Sequence, residues 1–120
     1  MSAFGESPNH RLVLRGLDGD GAPTVTVACI TLAEFLREQR LETLDLLKMD
    51  VEGSEWEILF ATPPSVLRTI RHILLEYHEV HARFGYQPEQ LFAHLASAGH
   101  KLTYRKEDRS RTGLAFLSQA

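Results

Sequence analysis

Leu44-Asp45-Leu46-Leu47-Lys48-Met49-Asp50-Val51-Glu52-Gly53-Ser54-Glu55 is the stretch whose reading decides the fold. Its first part, Leu44 to Val51, is too short for a typical helix and apolar on both faces, as a central parallel strand is. Glu52-Gly53-Ser54 breaks the run, and Trp56, Leu59 and Phe60 then recur at helical spacing. The chain passes here from a strand through a tight turn into a helix.

Downstream, Pro63 and Pro64 end that helix, and Val66, Leu67 and Ile70 suggest a further helical turn. Ile73 to Tyr77 is a second short apolar run, again a strand. Pro88 stands where a helix opens, Leu91, Phe92 and Leu95 form its stripe, and Gly99 is placed to stop it. Leu102 and Tyr104 alternate with Lys101, Thr103 and Arg105, and Leu114 to Leu117 forms the last strand; these two should pair antiparallel at the sheet edge. Upstream, Thr31 and Glu34 have the spacing of a capping box. Leu32, Phe35 and Leu36 form a buried stripe opposite Arg37, Glu38 and Arg40, which predicts a helix over 32–40. Before it, His10 to Leu17 and Thr24 to Ala28 read as strands flanking the turn Asp18-Gly19-Asp20-Gly21. That acidic turn is not a calcium loop, because Ala22 and Pro23 follow where another oxygen ligand and a glycine are needed. Residues 1–9 read as a loose leader. Strands alternating with helices imply an α/β fold with right-handed crossovers onto one largely parallel sheet.

The 120 residues suit one domain, and 43% apolar with 24% charged residues suits a folded core. A net charge of −3, with the basic residues scattered, argues against nucleic acid as a partner. The single cysteine, Cys29, cannot form an internal disulfide and excludes a thiolate zinc site. No secretory signal opens the chain and no run is long enough to cross a bilayer, so neither secretion nor a membrane is expected and the location expected is cytoplasmic.

In open α/β sheets, ligands bind outside the carboxyl ends of parallel strands. Asp50 and Glu52 lie at that end of the first strand, Glu76 and His78 at that end of the next. Twenty-six positions separate Asp50 from Glu76, enough for a crossover that returns both clusters to one rim. Glu76 beside His78 makes an acid–base pair, since a carboxylate fixes the imidazole tautomer and raises its basicity. Lys48 shares a strand face with Asp50 and is either a buried partner of it or a site lysine. Glu52 and Glu55 have a plainer reading as complements of the helix N-terminus. His78 and His81 with Asp50 or Glu76 would supply metal ligands, but at no diagnostic spacing, and no metal is assigned. His10, His72, His94 and His100 read as surface or satisfied core residues.

The stretch Leu44–Glu55 resembles the signature of FkbM-type methyltransferases: hydrophobic-Lys-hydrophobic-Asp-Val-Glu-Gly-x-Glu. Ile30-Thr31-Leu32 opening a helix and Leu74-Leu75-Glu76-Tyr77-His78 fit the same family, over about residues 24–105. The resemblance implies a Rossmann-like methyltransferase fold that uses S-adenosylmethionine to methylate a hydroxyl of a small molecule or glycan. By position it marks Lys48, Asp50, Glu52, Glu76 and His78 as the polar motif residues; our own expectation for their roles is Asp50, Glu76 and His78 as catalytic, and Lys48, Asp50 and Glu52 as cofactor-binding. The chain departs from the family at the cofactor site, where the acidic residue that follows the second strand is missing along with the glycine loop. It has no glycine-rich cofactor loop; its one Gly-x-Gly, Gly19-Asp20-Gly21, stands in a hairpin context. Residues 1–120 are therefore expected to be the C-terminal half of the domain, prone to dimerise or to pair with an N-terminal fragment, and weak in cofactor binding alone. The rival readings are a non-catalytic remnant or interaction module, and a metal-dependent hydrolase using the same carboxylates.

Overall fold

The computed structural model describes residues 11–14, 25–78, 87–108 and 112–120. The leader, His10, the turn Asp18–Gly21 and His81 lie outside the described residues. Strands β1 (Arg11–Leu14) and β2 (Val25–Ala28) pair antiparallel as a separate two-stranded sheet. Helix α1 (Leu32–Glu38) starts at the expected capping box: Thr31 Oγ1 accepts from the Glu34 amide at 3.1 Å, and Glu34 Oε1 accepts from the Thr31 amide at 3.2 Å.

Strand β3 (Leu44–Met49) leads through α2 (Glu55–Phe60) and α3 (Pro64–Leu67) to β4 (Ile70–Tyr77). β3 and β4 are adjacent and parallel, with Leu44 opposite Ile70 and Met49 opposite Leu75, as the two apolar runs and the intervening helix pattern predict. Helix α4 (Pro88–Ser97) follows; Gly99, at φ 96°, takes the left-handed conformation that turns the chain out of it. The antiparallel hairpin of β5 (His100–Glu107) and β6 (Gly113–Gln119) completes a four-stranded sheet of order β3-β4-β6-β5.

Two expectations are corrected here. The sheet is mixed, not largely parallel: the short β5–β6 connection makes a hairpin, and β6 then docks antiparallel to β4. β3 is an edge strand of the described sheet, not a central one. Its second apolar face reads as two-sided cover in sequence, yet Leu46 is 50% exposed.

The core lies on one face of the sheet. Ile73, Leu75 and Tyr77 of β4 and Ala115 and Leu117 of β6 pack with Trp56, Leu59, Leu67, Leu91 and Leu95, all of them buried. The period of two puts His72, Leu74 and Glu76 on the other face, where they are half-buried. Among the described residues no helix is long and apolar enough to cross a membrane.

Tyr77 closes one end of the core. Its hydroxyl donates to Glu107 Oε1 at 2.7 Å and accepts from Arg105 Nε at 3.0 Å, and its ring meets Phe92 edge-on. The cross-strand partner of Tyr77 is Gly113, where any Cβ would fall inside the tyrosine ring. Gly113→Ala is therefore expected to destabilise the fold by about 1–3 kcal/mol in urea unfolding. No change in the midpoint would show that the Tyr77 ring relocates freely.

Candidate functional site

The site is built by the turn between β3 and α2. Glu52 and Gly53 have φ values of 53° and 106°, both in the left-handed region. For Glu52 that conformation costs on the order of 1–2 kcal/mol, whereas Gly53 adopts it without a Cβ penalty. The sharp reversal brings the first turn of α2 back under the strand ends. Glu55, fully buried, then accepts three hydrogen bonds: Oε2 from the Gly53 amide at 2.9 Å, and Oε1 from the His78 amide at 2.6 Å and from His78 Nδ1 at 2.9 Å. Next to it, Trp56 Nε1 donates to the His78 carbonyl at 2.8 Å. Both backbone polar groups of His78 are thus held by the first two residues of α2, which fixes the carboxyl end of β4 against the end of β3.

Three further carboxylates surround the other side of the imidazole. His78 Nε2 lies 3.4 Å from Glu52 Oε2, 3.8 Å from Glu76 Oε1 and 4.0 Å from Asp50 Oδ1. The His78 side chain is 11% exposed, against 42% for Asp50, 84% for Glu52 and 38% for Glu76. The ring is therefore embedded, with its carboxylate neighbours reaching toward solvent.

The crowding shows in the acidities. The hydrogen bond with Asp50, then loss of hydration and the Asp50 charge, hold the Glu76 carboxyl above the usual carboxylate range. Burial alone would lower the pKa of His78. The hydrogen bond to Glu55 and the charges of Glu55, Glu52 and Glu76 outweigh it, and the His78 pKa is raised. Because a carboxylate oxygen accepts from Nδ1, the neutral tautomer carries its hydrogen there and presents the Nε2 lone pair to the rim. Such a nitrogen can take a proton from a hydroxyl or bind a metal ion. Ligand atoms of Asp50, Glu52 and His78 all lie within 4.8 Å of one another.

Asp50, Glu52, Glu76 and His78 are thus brought together, as the strand-end rule anticipates. Lys48 is not part of this cluster. It is exposed on β3, so the buried contact with Asp50 is not formed. Glu55 is the residue that sequence reasoning undervalues, because a helix N-terminus accounts for an acid at that position. The signal available was the pair Glu52 and Glu55 flanking Gly53 within one motif. The remaining histidines of the described region are structural: His100, 2% exposed, sits 2.7 Å from the Ile70 carbonyl and 3.2 Å from that of Leu95. His72 meets Ser118, and His94 meets the Thr62 carbonyl.

An α/β domain that gathers carboxylates and a histidine at the ends of adjacent parallel strands is of the class that binds ligands at that rim. The family model of the methyltransferase FkbM domain matches residues 2–105. The chain belongs to the FkbM methyltransferase family. No curated protein and no solved structure matches it.

Proposed function

We propose that the protein takes part in S-adenosylmethionine-dependent O-methylation of a hydroxyl on a small molecule or glycan, with the rim around His78 as the acceptor side. The observation that carries this reading is the Nε2 of His78, locked by Glu55 and facing Asp50, Glu52 and Glu76, within a chain of a methyltransferase family. The cofactor supplies a methyl group on a sulfonium sulfur, and its transfer to an alcohol releases a neutral thioether and one proton. His78 takes that proton at Nε2, and Glu76 and Asp50 orient the hydroxyl. Glu55 compensates the imidazolium so formed. General-base assistance of this kind contributes typically about 10²–10⁴-fold.

The donor set fits part of the cofactor. Asp50 and Glu52 suit its ribose hydroxyls and its ammonium group, and Lys48 suits its carboxylate. The chain's Gly-x-Gly stands between β1 and β2, not between a parallel strand and a helix, so these residues fit the acceptor side better than the adenosine cradle. We read the β3-β4-β6-β5 sheet as the C-terminal half of a Rossmann-like methyltransferase fold. The parallel pair followed by an antiparallel hairpin supports this, as does the face left open at Leu46, Tyr104 and Leu114. The same open face supports association of the isolated chain with a second copy or an N-terminal fragment.

Incubating the chain with methyl-labelled S-adenosylmethionine and a panel of polyols and sugars tests the reading. Slow labelling of a hydroxyl compound is expected, reduced about 10²–10⁴-fold in His78→Gln. Label that appears unchanged in His78→Gln removes His78 from the chemistry. No transfer to any acceptor favours the interaction-module alternative.

A further inference from the structure

We propose that the free edge of β3 is an interface for a second copy of this chain, the two β3 strands pairing antiparallel about a two-fold axis at Leu46. β3 ends the described sheet, and its ladder runs to β4 alone. The Leu44 amide donates to the Thr69 carbonyl at 3.0 Å, so Leu44, Leu46 and Lys48 turn their backbone groups toward β4. By the same alternation the amides and carbonyls of Asp45, Leu47 and Met49 point the other way, and no described residue meets them. Such a row of unpaired donors and acceptors is a template for another strand.

The two edges of the sheet are not alike. β5, at the other edge, carries Lys101, Arg105 and Lys106 and a register irregularity between Leu102 and Tyr104, the devices that keep an edge from pairing. β3 has no proline or glycine and holds a constant register against β4. Its side chain at Leu46 stands on the open face, 50% exposed, and that face continues inward through the half-buried Leu74 and Phe116. Covering Leu46 therefore extends an apolar strip that the sheet already contains.

The occupant is a second copy because the edge is complementary to itself. An axis at Leu46 sets Asp45 opposite Leu47 of the second copy, and Leu44 opposite its Lys48. Asp45 and Leu47 both present their backbone groups to the free edge, so they exchange both ladder bonds, while Leu46 meets Leu46 in the closer, non-hydrogen-bonded kind of pair. No like charges oppose each other within Leu44–Met49. Lys48 comes diagonal to Glu42 of the second copy, on one face and within reach of two long side chains. Within one chain, neither Lys48 nor Glu42 has an ion pair or hydrogen bond from its side chain among the described residues. The axis uses the free edge of both copies, so the assembly closes at two. This pairing rests on the association read from the open face and narrows it to one edge and one partner; it does not depend on methyl transfer.

Sedimentation equilibrium of the full chain tests it. A monomer–dimer equilibrium at micromolar concentration is expected, with no larger species. Leu46→Lys sets two ammonium groups face to face at the axis and should raise the dissociation constant at least about tenfold. Because Leu46 is half exposed, the far-ultraviolet circular dichroism of that variant should match the wild type. Lys48→Glu and Glu42→Lys each put like charges on the diagonal and should weaken the dimer. The double variant restores opposite charges and should dimerise more tightly than either single one. A chain that stays monomeric up to millimolar concentration overturns the proposal. So does a dimer that Leu46→Lys and both charge variants leave undiminished, which keeps the association and removes β3 from it. A double variant no tighter than the single ones overturns the register, and growth beyond the dimer overturns the closed arrangement. Methyl transfer by a monomeric chain would leave the proposed function standing without the dimer, whereas a dimer without transfer would do the reverse.

Discussion

Replacing Glu55 by alanine is expected to cost about 3–5 kcal/mol of folding stability, the range for removing one partner of a buried ionic contact. Total stabilities of domains are only about 5–15 kcal/mol, so the variant should sit near the edge of folding. The reason is local and countable. The fully buried carboxylate fills its lone pairs from the Gly53 amide, the His78 amide and His78 Nδ1. Alanine removes the acceptor from the His78 amide and His78 Nδ1 in a space that water enters poorly, and each unsatisfied buried donor costs about 1–3 kcal/mol. Glu55→Gln keeps the shape but turns one acceptor oxygen into a donor group, so an intermediate loss is expected. Urea unfolding followed by the fluorescence of the single tryptophan, Trp56, reports both. A loss under about 1 kcal/mol for Glu55→Ala would mean that the turn at Glu52 and Gly53 relaxes and frees the donors to solvent.

The importance of Glu55 also marks the boundary of what the sequence reveals. Local signals were sufficient for the elements. The capping box at Thr31 and Glu34, Pro88 and Gly99 around α4, and the two apolar runs of β3 and β4 each carry their own geometry. The rim was legible for the same reason: parallel neighbours joined by a crossover must end on the same side of the sheet. That put Asp50 and Glu76 together without any knowledge of the intervening path.

What sequence did not reveal depends on contacts between distant segments. Glu55 looks like an ordinary first-turn acid until His78, twenty-three residues on, delivers two donors to it. Similarly, Leu44 and Leu46 on one face and Leu47 and Met49 on the other give β3 the profile of a strand covered twice. The period of two says that a face is apolar, not whether another layer lies on it, and here that face is open. The antiparallel entry of β6 beside β4 is a third case. Leu114 to Leu117 is apolar whichever way it runs, and only the short connection from β5 fixes its direction.

Trp56→Ala should destabilise the chain by about 3–5 kcal/mol, as large-to-small changes at buried aromatic positions do. The side chain is 1% exposed and belongs to the cluster formed with Leu59, Leu67, Ile73 and Leu75, so its removal opens a cavity under the sheet. A second loss is folded into the first. The indole Nε1 satisfies the His78 carbonyl at 2.8 Å, and neither alanine nor phenylalanine replaces that donor. Trp56→Phe keeps most of the volume and isolates this contribution, with an expected cost of about 1–3 kcal/mol. Circular dichroism in urea measures both variants without relying on tryptophan fluorescence. The two α2 residues hold opposite sides of one peptide unit, Glu55 through the His78 amide and Trp56 through its carbonyl. Once either is lost, the end of β4 is free to move and the other contact is already weakened. The double variant Glu55→Gln with Trp56→Phe should therefore cost less than the two single changes added together, by about 0.5 kcal/mol or more. Strict additivity would show that the amide and the carbonyl of His78 are held independently, and that the rim is not positioned by the first turn of α2 as a unit.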